Sequence, residues 1–264
     1  MTAALTFRAM GSDSIFCSAI GDDKYGERIR RFLTAAGVDC RFLRSRYKTK
    51  TGLYMTLAEE DRSRRSIRFP EANKSLTRED IEEAFMTFPD ALYLQKELSD
   101  ELTVAAAEIA HEKNVPVFFH PCKKRGELQP EALGKLEMVI LDADEVYSYC
   151  GVAPAEYDKF LQAAMALSAH IRAKYYVIRI PDRGSFIYDG IYYEMAGEYP
   201  STYLDENGAK EVYGAAFTAA YLGSDFNIKK ASKCAAAAYA YSSSNKGDVT
   251  SVPSLSDLVP FLKK

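Results

Sequence analysis

The chain has 264 residues, 47% of them hydrophobic and 27% charged, enough for one α/β domain with a large core and too apolar for a disordered chain. A net charge of −3 is near balance and gives no reason to expect nucleic acid or an anionic membrane as partner. No apolar run reaches the length of a bilayer span and Met1 to Gly11 lacks the apolar stretch of a signal peptide. The five cysteines (Cys17, Cys40, Cys122, Cys150, Cys234) never form a CxxC pair, so a cytoplasmic protein with free thiols is expected.

Thr2 to Met10 reads as a short helix ended by Gly11, and Ser14 to Ile20 as a strand. The turn Gly21-Asp22-Asp23-Lys24-Tyr25-Gly26 leads into a helix, Glu27 to Ala36, whose Ile29, Phe32, Leu33 and Ala36 fall at helical spacing before Gly37. Strands follow at Cys40 to Leu43, Thr51 to Leu57 and Ser66 to Phe69. A charged hairpin tip, Glu59 to Arg65, joins the last two. The basic residues Arg62, Arg64, Arg65 and Arg68 sit beside Glu59, Glu60 and Asp61, so a solvated tip is a better reading than a phosphate patch.

From Thr77 onward the pattern is regular. Helix Thr77 to Thr87, opened by an S/T-x-x-D cap, precedes strand Ala91 to Leu94. Helix Ser99 to Lys113 precedes strand Pro116 to His120, helix Pro130 to Leu136 precedes strand Met138 to Leu141, and helix Glu156 to Ala173 precedes strand Tyr175 to Ile180. Short, continuously apolar strands alternating with amphipathic helices predict a mostly parallel sheet covered on both faces. A hairpin turning at Asp189-Gly190 between Ser185–Tyr188 and Ile191–Met195 adds antiparallel strands at one edge. Tyr175, Tyr176, Tyr192 and Tyr193 read as packing residues. Helices from Ile228 to about Tyr241 and from Leu255 to Leu262 close the chain. No linker interrupts it, and one domain is expected over residues 1–264.

One stretch stands out: Leu204-Asp205-Glu206-Asn207-Gly208-Ala209-Lys210-Glu211, a polar turn running into a helix of small apolar residues, Val212 to Leu222. It aims free N–H groups and the positive end of a helix dipole at whatever lies above Gly208, which suits a phosphate or a developing anion. Glu211 in the first turn can accept a proton. The stretch resembles the D-T-x-G-A-G-D-x-F…G-A signature of the PfkB (ribokinase-like) carbohydrate kinases through Asp205, Gly208, Ala209, Gly214 and Ala215. Other blocks follow collinearly. Gly21-Asp22-Asp23-x-x-Gly26 resembles the family's G-D-D-x-x-G, Thr51-Gly52 its T-G and Leu94-Gln95-Lys96-Glu97 its L-Q-x-E. Asp142-Ala143-Asp144-Glu145 with Gly151 resembles N-x-x-E-A…G, and Arg179 to Gly184 occupies the T-x-G-x-x-G position.

The resemblance implies a ribokinase-like three-layer α/β/α sandwich with a mostly parallel central sheet and a reduced β lid around residues 40–70. It also implies ATP and Mg²⁺ as cofactors and a sugar or nucleoside as substrate. Glu211 stands in the position of the catalytic base, with Gly208, Ala209 and Lys210 as the anion hole. Arg179 and Gly184 stand where nucleotide phosphates are contacted, and Asp142 and Glu145 stand at the motif that holds Mg²⁺ indirectly, with no direct protein ligand to the metal. Asp22 and Asp23 lie on the substrate side.

Several positions depart from the family pattern. Lys210 replaces glycine, Glu211 aspartate, Tyr213 phenylalanine, Asp142 asparagine, Arg179 threonine and Pro181 glycine. The longer Glu211 displaces its carboxylate by about one bond, and a shift of about 1 Å can cost ~10²-fold in rate, so weak or lost transfer is expected. A non-catalytic binding protein for a nucleotide, sugar or protein partner is the alternative. The chain begins about where the family's G-G-x-x-x-N asparagine would stand, with Thr2 in its place. Sugar-gripping residues and the first central strand are therefore expected to be missing, leaving an exposed sheet edge that invites a homodimer. Other chemistries fit worse: there is no GxxxxGK[ST] or post-strand GxGxxG, and His111-Glu112 lacks a second histidine at metal spacing. His120 with Cys122, next to Lys123-Lys124-Arg125, reads as polar lining of the strand ends rather than a nucleophile pair.

Overall fold

The computed structural model describes residues 1–58, 64–122, 126–154, 157–180 and 184–263. Residues 59–63 of the predicted tip Glu59 to Arg65, the basic run Lys123-Lys124-Arg125, and Pro181 fall outside these residues. The chain divides into two compact units, one of Met1–Ser12 with Phe88–Lys264 and one of Asp13–Thr87.

The larger unit is built on a six-stranded sheet. Its strands are β5 (Leu92–Leu94), β6 (Val117–Phe119), β7 (Lys135–Asp142), β8 (Arg172–Ile180), β9 (Gly184–Tyr188) and β10 (Tyr193–Ala196), in the spatial order β10-β9-β8-β7-β6-β5. β5 to β8 run parallel, while β9 and β10 are the expected antiparallel addition. The apolar runs of β6, β7 and β8 are buried on both faces because helices cover both. Phe118, Met138, Ile140 and Val177 face α7 (Ala209–Gly223) and α8 (Ile228–Ser243), packing with Tyr213, Phe217, Tyr221 and Tyr239. On the opposite face, Phe119 meets Tyr149 of α5 (Ala143–Cys150) at 6.3 Å, and Phe186 stacks on Phe160 of α6 (Tyr157–His170) at 6.1 Å. Each fully buried phenylalanine of this kind contributes about 1.5–3 kcal/mol. α7 and α8 pack through alanines, with Ala216 against Ala237 and Ala238, and such small side chains allow close approach. α1 (Thr2–Ala9) and α4 (Asp100–Glu112) belong to this unit, as does α9 (Leu255–Leu262).

The smaller unit contains α2 (Lys24–Ala35), α3 (Arg78–Phe85) and two small sheets. β1 (Ser18–Gly21) pairs in parallel with β2 (Leu43–Arg46), and β3 (Leu53–Ala58) with β4 (Arg64–Phe69) forms an antiparallel hairpin. Thr77 and Asp80 cap α3 reciprocally, as its sequence predicts.

Three sequence expectations need correction. The helix predicted over Pro130 to Leu136 is a 3-10 turn, Pro130–Leu133, stopped by Gly134 at φ 68°, so Leu136 lies inside β7. The strand predicted at Cys40 to Leu43 begins only at Leu43, because Arg41 and Phe42 form a turn. The helix predicted over Glu156 to Ala173 ends at His170, and Arg172 and Ala173 belong to β8. Asp142, the last residue of β7, also opens α5 through a capping box with Glu145, and Gly151 in the left-handed region ends that helix.

Candidate active site

The α7 N-terminus is bound to the segment that follows α8. Leu204 and Asp205 donate their N–H groups to the Ser243 carbonyl at 2.7 and 3.1 Å, and Asp205 Oδ2 accepts from the Gly247 N–H at 3.0 Å. Gly208 caps α7 at φ 78°, and a Cβ there would lie 2.3 Å from Asp248 Oδ1. Both the backbone angle and the close carboxylate therefore require glycine. Asp248 also accepts from the Thr2 hydroxyl at 2.5 Å, so the residue standing at the family's asparagine position is engaged here. The Ala209 N–H donates to the Glu206 carbonyl at 3.2 Å.

Glu211 is half-buried in the first turn of α7. Burial raises its pKa above the ordinary carboxyl value. A hydrogen bond from its own N–H opposes this, and nearby Asp248 reinforces it. A carboxyl shifted upward in this direction is better matched to proton abstraction near neutrality than an ordinary one.

Next to it lies an ion network that joins β7, β8, α5 and α7. Arg179, 3% exposed at the end of β8, forks onto Asp142 at the end of β7, with Nε–Oδ1 at 2.6 Å and Nη2–Oδ2 at 2.9 Å. Its guanidinium lies 4.2 Å from the Tyr239 ring centre, and the Tyr239 hydroxyl donates to Glu206 Oε1 at 2.7 Å. Lys210 reaches the same carboxylate from α7: its Nζ is 2.5 Å from Asp142 Oδ2, 3.5 Å from Asp144 Oδ1 and 4.0 Å from Glu145 Oε1. Burial pushes the Lys210 ammonium toward lower pKa, but Asp142, Asp144 and Glu145 outweigh it and hold the group above the ordinary lysine value. Burial likewise raises Asp142, and Arg179 with Lys210 brings it below the usual carboxylate range. Glu145 is pushed up to about 7 by burial, with Asp142 adding to the shift. Asp142, Asp144 and Glu145 each offer an oxygen, and the three lie within 4.8 Å of one another. The Arg179 Nη1 is buried with no hydrogen-bond partner among the described residues, and a donor left this way is costly unless a ligand meets it.

Gly184 starts β9 at φ 92°, and a Cβ would lie 1.9 Å from the Ala196 carbonyl oxygen, so the glycine is set by strand packing. His120, at the end of β6, is 1% exposed. It meets the Tyr93 hydroxyl at 2.6 Å and Cys122 Sγ at 3.4 Å. Burial lowers the imidazole to about 4 and raises the thiol well above its usual value, so both are neutral, which fits polar lining rather than an activated nucleophile.

In the smaller unit, Asp23 is the N-cap of α2. It accepts from the Thr51 hydroxyl at 2.6 Å, the Thr51 N–H at 2.9 Å and the Gly26 N–H at 2.9 Å. The Thr51 hydroxyl first, and these N–H groups with it, pull the carboxyl down to about 2. Asp22 accepts from the Lys48 N–H at 2.8 Å. Both carboxylates thus hold the turn that carries them. Glu211, Lys210, Asp142, Glu145 and Arg179 all lie in the larger unit with Gly208, Ala209 and Gly184. Asp248 and Tyr239 went unnoticed in the sequence: one lies in an unpatterned polar loop, the other among the alanines of α8.

Residues 3–255 match the model of the pfkB family carbohydrate kinases. The chain belongs to the PfkB family. It is 24% identical over 260 residues to the ATP-dependent ribose-1-phosphate kinase of Halopiger xanaduensis, covering 96% of this chain and 81% of that protein. It is 21% identical over 261 residues to the deoxyribokinase of Salmonella typhi, covering 98% and 85%. Among solved structures, the Arabidopsis thaliana ribokinase complexed with ribose and ATP superposes with a TM-score of 0.89 at 19% identity, covering 100% of this chain and 86% of that one. The Giardia lamblia ribokinase gives 0.90 at 18%, covering 99% and 86%. This PfkB chain therefore has the ribokinase-like fold, a mixed sheet flanked by helices, and no described helix is long and apolar enough to cross a membrane.

Proposed function

We propose that this PfkB chain transfers the γ-phosphoryl group of ATP to a hydroxyl of a sugar or sugar-like substrate, at a low rate. The hydroxyl oxygen bonds phosphorus as the bond to ADP breaks, and Glu211 takes the hydroxyl proton. The observation that carries this reading is the Glu211 carboxyl, raised by burial in the first turn of the helix whose N-terminus the family uses for the anion. Arg179 supports ATP as donor: its buried, unpartnered Nη1 suits a phosphate oxygen. Mg²⁺ carried in on the nucleotide would offset the charge of the phosphates. The low rate follows from the glutamate in place of aspartate.

A second reading, ligand binding without transfer, has its own observations. The Glu211 carboxyl bonds its own N–H, and Asp248 sets a negative charge beside Gly208. Thermal unfolding with ATP, pentoses and nucleosides tests what the two readings share. A ligand at a hundred times its Kd stabilises by about 2.7 kcal/mol, so a clear upward shift in Tm is expected. A cooperative melt that no ligand moves contradicts both readings.

A further inference from the structure

Three departures from the family pattern are scattered along the sequence: Asp142 for asparagine, Arg179 for threonine and Lys210 for glycine. In the structure they meet. Asp142 brings a negative charge, and both of its oxygens are taken by the two new cations, Oδ1 by Arg179 Nε at 2.6 Å and Oδ2 by Arg179 Nη2 at 2.9 Å and Lys210 Nζ at 2.5 Å. Independent decay of three positions does not lead to a set in which each new charge is met by an opposite one.

The same contacts decide how the acidic cluster treats a metal ion. Asp142, Asp144 and Glu145 resemble a divalent-cation site when their oxygens alone are considered. Mg²⁺ demands near-octahedral oxygen ligands at about 2.0–2.1 Å. Asp142 cannot supply one without releasing an ammonium or a guanidinium. Glu145 Oε2 already accepts the Asp142 N–H at 3.2 Å, and its other oxygen lies 4.0 Å from the Lys210 ammonium. An ion within bonding distance of the Asp142 and Glu145 oxygens would face that positive charge at close range, beside carboxylates only 2% and 5% exposed. Lys210 is carried by α7, whose neighbouring Ala209 and Val212 are fully buried, so the helix sets the backbone from which its ammonium reaches the three carboxylates.

We propose that Lys210 is the built-in cation of this site: together with Arg179 it neutralises the Asp142–Asp144–Glu145 cluster, which consequently takes no divalent ion. This holds whether or not the chain transfers phosphoryl groups.

Mn²⁺ binding to the nucleotide-free protein, followed by the loss of the free-ion electron paramagnetic resonance signal, tests it directly. The wild type is expected to show no saturable Mn²⁺ binding up to millimolar concentrations. Lys210→Gly is expected to gain a saturable site, roughly tenfold tighter or more than any in the wild type, and Lys210→Gly/Asp144→Asn to lose it again. Lys210→Gln, which removes the charge from an unbranched side chain one atom shorter and keeps the helix propensity of the first turn, is expected to show the same gain. It serves as the measurement if circular dichroism shows the glycine variant unfolded. Saturable Mn²⁺ binding by the wild type that Asp144→Asn abolishes would overturn the proposal, and so would folded Lys210 variants that bind no more Mn²⁺ than the wild type.

Discussion

Arg179 and Asp142 are 3% and 1% exposed, and at this depth an ion pair is mainly a liability when broken. Removing one partner of a buried pair costs about 3–5 kcal/mol, because the other charge is left without compensation. Arg179→Met is therefore expected to lower the unfolding free energy by about that amount in urea titrations, whereas Arg179→Met/Asp142→Asn should recover a large part of the loss. His120 gives a pH signature at the same scale. Its folded pKa, lowered to about 4 by burial, lies below the value of about 6.5 expected in the unfolded chain. The unfolded state thus binds the extra proton first as pH falls, so the neutral imidazole's contribution is fully present above about 6.5 and is lost on the way down to about 4. The shift corresponds to about 3 kcal/mol across that window. Comparing urea denaturation of wild type and His120→Gln at several pH values should show a flatter stability profile in the variant.

α7 shows how one element carries both packing and chemistry. Gly214 sits inside this helix, where alanine would ordinarily be favoured by about 1 kcal/mol. Here an added Cβ would lie 2.0 Å from His120 Nδ1 and 2.6 Å from the Tyr93 hydroxyl. Gly214→Ala is expected to destabilise by about 1–3 kcal/mol despite the better propensity, measured as a lower urea midpoint at unchanged slope. The glycine thus lets α7 approach the ends of β5 and β6 closely. How well the sequence revealed each element followed from how local its signal was. The apolar runs of β6, β7 and β8 are buried on both faces, and α3 announces itself with Thr77 and Asp80, so these elements could be located, although β7 and β8 begin three residues before the predicted Met138 and Tyr175. α5 could not: its capping box coincides with the Asp142–Glu145 motif, and the same two residues were read as chemistry instead of as a helix start. The 3-10 turn at Pro130 was read one turn too long because Gly134, in the left-handed region, ends it early.

Across the molecule, the order of strands and helices was legible and the meaning of the departures was not. Lys210, Asp142 and Arg179 could each be recognised as unusual, yet their contact is made by three separate strand and helix ends, and no spacing rule announces it. Asp248 gave no signal because it reaches Gly208 only through the fold of the loop after α8. Read singly, the changes suggested a failing active site. Assembled, they describe a rewired charge arrangement beside a half-buried carboxyl, in a chain that keeps the ribokinase-like fold.

The most direct measurement is the formation of ADP from ATP in the presence of ribose, deoxyribose, ribose 1-phosphate and nucleosides, for wild type, Glu211→Asp and Glu211→Gln. ADP formation is expected to depend on the added hydroxyl compound, to rise in Glu211→Asp and to fall by about 10²-fold or more in Glu211→Gln. ADP release that is indifferent to every acceptor, or acceptor-dependent release that survives unchanged in Glu211→Gln, would contradict this expectation.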